Sequence, residues 1–262
     1  MRRALAMLFC ALAAALAAAL APPVQAAEEQ VIAGLSQSSV SITADFSGTE
    51  ILVYGAVKRE APAPEGGPMR VIVTVQGPDI PVTVRRKDQR YGIWLNNASV
   101  GIDAAPSFYA VSTSAPLRQA LSETEDLRHR ITIPRAIRAV GISEEADNSP
   151  AFIEALLRIR EKEGRYALRE NSVALTEETL FRTDVMLPTN LTEGDYVVRV
   201  FLTRDGKVVD SIRRAIWVRK AGLERFLYES AHEQPLLYGL VALITAAIAG
   251  WGASALFARL RW

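Results

Sequence analysis

Arg85, Arg86, Lys87 and Arg90 place four positive charges within six positions, and Tyr91 and Trp94 follow. Guanidinium groups beside aromatic rings can grip an anion, an acidic partner or a lipid headgroup, because the planar fork of Arg pairs with oxyanions and stacks on rings. The plainer reading is a charged hairpin turn whose like charges keep the sheet edge from pairing with other chains. A second basic stretch, Arg128, His129, Arg130, Arg135 and Arg138, follows Glu123, Glu125 and Asp126. Mixed charge of this kind reads as a solvated face.

Groups for catalysis are scarce. Cys10 is the single cysteine and lies in the N-terminal apolar run, so the exported protein is expected to lack thiol chemistry and disulfides. His129 and His232 are far apart in sequence, and both read as solvated. No GxSxG, HExxH, SxxK or P-loop pattern occurs. The carboxylates at Glu123/Glu125/Asp126, Glu144/Glu145/Asp147 and Glu177/Glu178 lack calcium-loop spacing and suit loops or helix N-termini. The sequence therefore predicts no catalytic residue, no metal site and no cofactor, and the chain reads as a non-enzyme. A net charge of +1 gives no global pull toward nucleic acid.

Two apolar segments set the topology. The 23 residues from Leu236 to Ala258 carry no charge. A helix of that length crosses a hydrocarbon layer of about 30 Å. Within it Ala242, Ala246, Gly250, Ser254 and Ala258 fall at every fourth position, a small-residue stripe on which another helix can pack closely. The plainer account is an Ala-rich span. At the other end, Arg2 and Arg3 precede an Ala/Leu run, and Val24 and Ala26 suit a signal-peptidase site, so cleavage is expected after Ala26. Glu224, Glu229 and Glu233 lie before the span and Arg259 and Arg261 after it. That asymmetry puts the C-terminus in the cytoplasm and residues 27–235 in the periplasm or cell exterior.

The exported region alternates as β from Val31 to about Thr113, with runs at 51–57, 71–75, 82–84, 91–95 and 108–111. The period changes between 114 and 168, where Ser114 caps a helix with Pro116 in its first turn, and a clearer helix follows Pro150. Strands return after Val173, and Asp205-Gly206 makes a two-residue turn between the last two. The expected fold is mainly β: an immunoglobulin-like antiparallel β-sandwich with a helical insertion and one C-terminal transmembrane helix. The alternative is two small β-domains with helices between them. The units are then a signal peptide (1–26), the first part of the sandwich (27–113), the insertion (114–168), the closing strands (169–220), a juxtamembrane amphipathic helix (221–235), the span (236–258) and a tail (259–262).

The segments ITADFSGTEILVYGAV (42–57), VRRKDQRYGIWLN (84–96), PSFYAVSTSAPL (106–117) and LFRTDVMLPTNLTEGDYVVRVFL (180–202) resemble those of the alphaproteobacterial transmembrane protein family abbreviated Alph_Pro_TM. The resemblance covers essentially the whole exported chain and the span. It implies an inner-membrane protein facing the periplasm. It carries over no functional residues, because the family has no established activity. Members are often encoded beside a sulfite-exporter-type permease, which makes that class of permease a partner to expect.

The leading functional expectation is a non-catalytic accessory or interaction subunit of a membrane complex. Its partner would be a multi-pass membrane protein or a second copy of the chain. The other expectation is a tethered periplasmic binding module for an anion or envelope component. In either case Arg85, Arg86, Lys87, Arg90 and Trp94 are the candidate contact residues.

Overall fold

The computed structural model describes residues 29–43, 45–60, 66–138, 149–220 and 231–260, with side chains of the last helix as far as Ser254. The expected signal peptide, most of the expected juxtamembrane helix and Arg261–Trp262 lie outside the described residues.

Strands dominate, and they run in chain order as β1 (Gln30–Leu35), β2 (Ser39–Ile42), β3 (Thr49–Lys58), β4 (Met69–Gln76), β5 (Asp79–Arg90), β6 (Ile93–Pro106), β7 (Tyr109–Thr113), β8 (Tyr166–Arg169), β9 (Ala174–Thr176), β10 (Leu180–Leu187), β11 (Gly194–Arg204) and β12 (Lys207–Lys220). One sheet has the order β1-β3-β10-β9. The other has the order β2-β12-β11-β4-β7-β8. Most pairs are antiparallel, while β2 joins β12 and β8 joins β7 in parallel. The hairpin β5–β6 forms a third, two-stranded sheet of its own.

The period-2 patterns decide what is buried. Tyr196, Val198, Val200 and Leu202 occupy alternate positions of β11, and all are fully buried. They meet Ile51, Val53, Phe181 and Leu187 of the facing sheet in one core. Each such side chain contributes roughly 1.5–3 kcal/mol by leaving water. Tyr196 also donates its hydroxyl to the carbonyl of Thr192, four residues back, at 2.9 Å. Its phenol, near the start of β11, thereby ties down the approach to that strand. Gly55 lies in β3 between its two neighbour strands, where a Cβ would collide with the carbonyl of Ile32 and the ring of Phe181. Only hydrogen fits there.

β4 reads VIVTV at its centre and is buried on both sides. Val71, Val73 and Val75 face the sandwich core, while Ile72 faces a second core with Tyr109, Ile131, Tyr166 and Phe201. Three short helices supply the cover for that outer face: α1 (Leu117–Ala120), α2 (Glu123–His129) and α3 (Ile133–Ala136). A longer helix, α4 (Ser149–Lys162), packs Phe152 and Leu156 on the base of the β5–β6 hairpin against Val84, Val100 and Ile102. An apolar α5 (Pro235–Leu260) closes the chain.

Several local expectations change. Ser114 caps no helix. Its hydroxyl accepts from the Val71 amide at 2.9 Å, and α1 starts behind Pro116 without a side-chain cap. Ser122 is the capping residue instead, accepting from the Glu125 amide at the start of α2. Tyr91 begins no strand: Tyr91 and Gly92 both have positive φ (52° and 81°) and form the turn between β5 and β6. The largest departure is that this hairpin leaves the sandwich altogether. Residues 27–113 are thus not all sandwich, and β8 lies inside the stretch 114–168 expected to be helical.

Candidate functional site

The hairpin carries the basic residues that the sequence singled out, and its register sorts them onto two faces. Directly paired residues share a face. Before the turn, Lys87 pairs with Asn96, Asp88 with Leu95, Gln89 with Trp94 and Arg90 with Ile93. Arg86 and Arg90 therefore lie with Ile93 and Leu95, whereas Arg85 and Lys87 lie with Trp94. The five candidates are brought to one ribbon but not to one face. Arg86 is paired with Asp88 at 3.5 Å, and Asp88 also accepts from the Asn97 amide group at 2.8 Å.

The outer half of this ribbon is open on both sides. Tyr91 is fully exposed, Ile93 and Trp94 are each more than 60% exposed, and Leu95 is about half exposed. The pairing shifts register between Arg86 and Lys87, which gives β6 one extra residue there. Such a bulge strengthens twist and re-aims what lies beyond it. Inboard of it, Val84 and Val100 are buried under α4, and outboard of it nothing among the described residues covers the apolar side chains.

A second cationic locus was not visible as a unit in the sequence. Arg199 of β11 stands directly opposite Arg213 of β12. The Arg199 guanidinium donates to Thr74 Oγ1 (3.2 Å), the His129 carbonyl (2.8 Å), the Tyr109 hydroxyl (2.8 Å) and the Arg130 carbonyl (3.0 Å). Arg130 is the left-handed residue that ends α2, with φ 50°. Arg199 thus anchors the helix end to the outer face of the six-stranded sheet. Its guanidinium carbon lies 5.3 Å from the centroid of Phe201, and His129 meets the same ring edge-on at 5.7 Å. The stretch 128–130 is therefore not a simple solvated face. Glu125 is buried, pairs with Arg128 at 3.0 Å, lies 3.4 Å from His129 Nε2 and accepts from the Val208 amide (3.3 Å). Tyr109 has its phenol pKa raised, chiefly by burial, although the nearby Arg199 charge pulls the other way.

Ion pairs elsewhere are structural in geometry. Glu29 is almost fully enclosed, and its carboxylate meets Arg59 at 2.8 Å and Arg204 at 2.9 Å. The same two arginines donate to the carbonyls of Glu178 and Gly67.

In α5, Ala242, Ala246, Gly250 and Ser254 all lie on exposed positions. Ala258 lies in the helix, and its side chain is outside those described. The stretch Pro235–Ser254 is long and apolar enough to cross a membrane, and none of it is buried against the rest of the chain. A family model described as "Putative transmembrane protein (Alph_Pro_TM)" matches residues 30–259, from the first strand to the end of this helix. The chain belongs to that family. Among curated proteins none matches the sequence. One solved structure that the chain is similar to is the sporulation control protein Spo0M from Bacillus subtilis, at 11% identity and a TM-score of 0.27, over 79% of this chain and 55% of that one. The chain thus spans about half the length of that protein.

Proposed function

We propose that this membrane protein is a non-catalytic interaction subunit, anchored by α5, that contacts a multi-pass membrane partner through the tip of the β5–β6 hairpin. The observation that carries this reading is the exposed set Tyr91, Ile93, Trp94 and Leu95 on a ribbon that has left the sandwich. Exposed aromatic and aliphatic residues ringed by arginine are the composition of interface hot spots. They add nothing to the core that α4 and the hairpin base already complete. The sandwich is immunoglobulin-like in this reading. Support comes from the order β1-β3-β10-β9 against β2-β12-β11-β4-β7-β8, with the N-terminal strands divided between the sheets, and from the Tyr196–Thr192 bond at the start of β11. The charge asymmetry around the span supports a periplasmic sandwich in the inner membrane.

Affinity purification of the full-length protein from its native membrane in mild detergent tests this. A stoichiometric multi-pass protein is expected, and a sulfite-exporter-type permease is the class to look for first. Gly250→Leu is expected to weaken its recovery if the stripe also makes contact. Recovery of the chain alone would favour the tethered binding module instead.

A further inference from the structure

The geometry points to a binding site for one tetrahedral oxyanion group, of the phosphate or sulfate type, between Arg199 and Arg213. Two like charges directly opposite each other across an antiparallel pair repel, and proteins ordinarily avoid the arrangement or neutralise it. Here no carboxylate among the described residues lies within ion-pair distance of either guanidinium. Asp79 and Asp195 line a cleft on one side of the pair beyond ion-pair distance: Asp79 accepts from the neutral Gln76 amide group at 3.1 Å, and Asp195 pairs with Arg219 at 2.9 Å. Glu125, on the other side, is held by Arg128, His129 and the Val208 amide.

The two arginines line a cleft of about 80 Å³ together with Arg128, His129, Phe201 and Ser211. That space admits an oxyanion, and on the other side the same two arginines line a larger cleft of about 310 Å³ with Asp79 and Asp195. The donors are ready. Four hydrogen bonds fix Arg199 and leave one of its five N–H groups uncommitted. Arg213 uses none of its side-chain donors among the described residues, and the Ser211 hydroxyl is likewise uncommitted there. One anchored fork and one free fork converge on a small cleft floored by an aromatic ring. Bidentate pairing of guanidinium with a tetrahedral oxyanion suits such a place. Neither the hairpin nor the accessory role contributes to this site.

Calorimetric titration of the full-length protein in detergent micelles tests it, with sodium phosphate and sodium sulfate as probes at fixed ionic strength and sodium chloride as the reference. A saturable one-site isotherm with phosphate or sulfate is expected. Arg213→Gln is expected to weaken it at least tenfold, and Arg213→Lys to keep part of it. Arg213 is exposed and its side chain is bonded to no partner among the described residues, so its variants are expected to keep the fold, which circular dichroism checks. Micelles doped with phosphatidylglycerol separate the two sources of phosphate chemistry: competition with the free ion assigns a lipid headgroup, and an unchanged isotherm assigns a free anion. Absence of saturable binding, or identical isotherms for wild type and Arg213→Gln, would overturn the site.

Discussion

Arg199 and Arg213 face each other across the β11–β12 ladder, yet only Arg199 is tied down by the fold. Arg199 closes four hydrogen bonds, two of them to the carbonyls that end α2. Removing it leaves those acceptors without the donor that satisfies them. Arg199→Ala is expected to cost about 2–4 kcal/mol, and Arg199→Lys to rescue little, because one ammonium cannot replace a planar fork. Arg213→Gln, which removes a like-charge neighbour, is expected to stay within about 0.5 kcal/mol of wild type or to stabilise. Denaturant unfolding of the three variants checks the contrast. Equal losses at both positions would contradict it.

Glu29 sits under Arg59 and Arg204 with its side chain only 1% exposed. Breaking one partner of an enclosed pair leaves an uncompensated charge. Glu29→Ala is expected to destabilise by about 3–5 kcal/mol, whereas Glu60→Ala, at the exposed pair with Lys58, is expected to change stability by less than about 1 kcal/mol. Thermal melts of the two variants read this difference directly.

Gly55 gives the most local prediction. A methyl group at that position meets backbone and an aromatic ring well inside contact distance. Gly55→Ala is expected to cost about 3 kcal/mol or more through overpacking between β1, β3 and β10. Gly101→Ala, where a Cβ meets nothing within 4 Å, is expected to behave like wild type. Expression yield and melting temperature compare them.

Alkaline pH tests the buried tyrosines. Tyr166 donates to the Pro106 carbonyl at 2.8 Å, and burial pushes its phenol up to about 12 from an ordinary value near 10. Burial also raises Tyr109 and Tyr196. A raised phenol pKa means that the folded state holds the proton more tightly than the unfolded chain. The associated stability is complete below pH 10 and is lost as pH rises from about 10 toward 12. For Tyr166 the loss is on the order of 2–3 kcal/mol. Unfolding measured at pH 9 and pH 11 checks this, and Tyr166→Phe is expected to flatten the decline.

The framework was legible wherever one physical rule dominates. Alternation in 196–202 marks a strand with one buried face, Asp205-Gly206 marks its turn with φ of 51° and 75°, and the uncharged run after Leu236 marks the apolar helix. The expectations failed where side chains choose among competing partners. Ser114 has the composition of a cap but serves the Val71 amide, a contact 43 residues away in sequence. The basic cluster at 85–90 looked like one patch because sequence adjacency hides the alternation that sends Arg85 and Arg86 to opposite faces. The Arg199–Arg213 pair was illegible because its two members belong to different strands and become neighbours only through register. Its helical partner was half visible: Ser122-x-x-Glu125 is a capping pattern that marks the start of α2, while its end at left-handed Arg130 carries no such pattern.

The most direct test of the interaction-subunit account is photocrosslinking from position 94 in the native membrane. A photoreactive phenylalanine analogue replaces Trp94 in the full-length chain, with the same substitution at Trp217, on β12, as the comparison. The account predicts an adduct with a multi-pass membrane protein from position 94 and none from position 217. No protein adduct from position 94, or the same adducts from both positions, would contradict it.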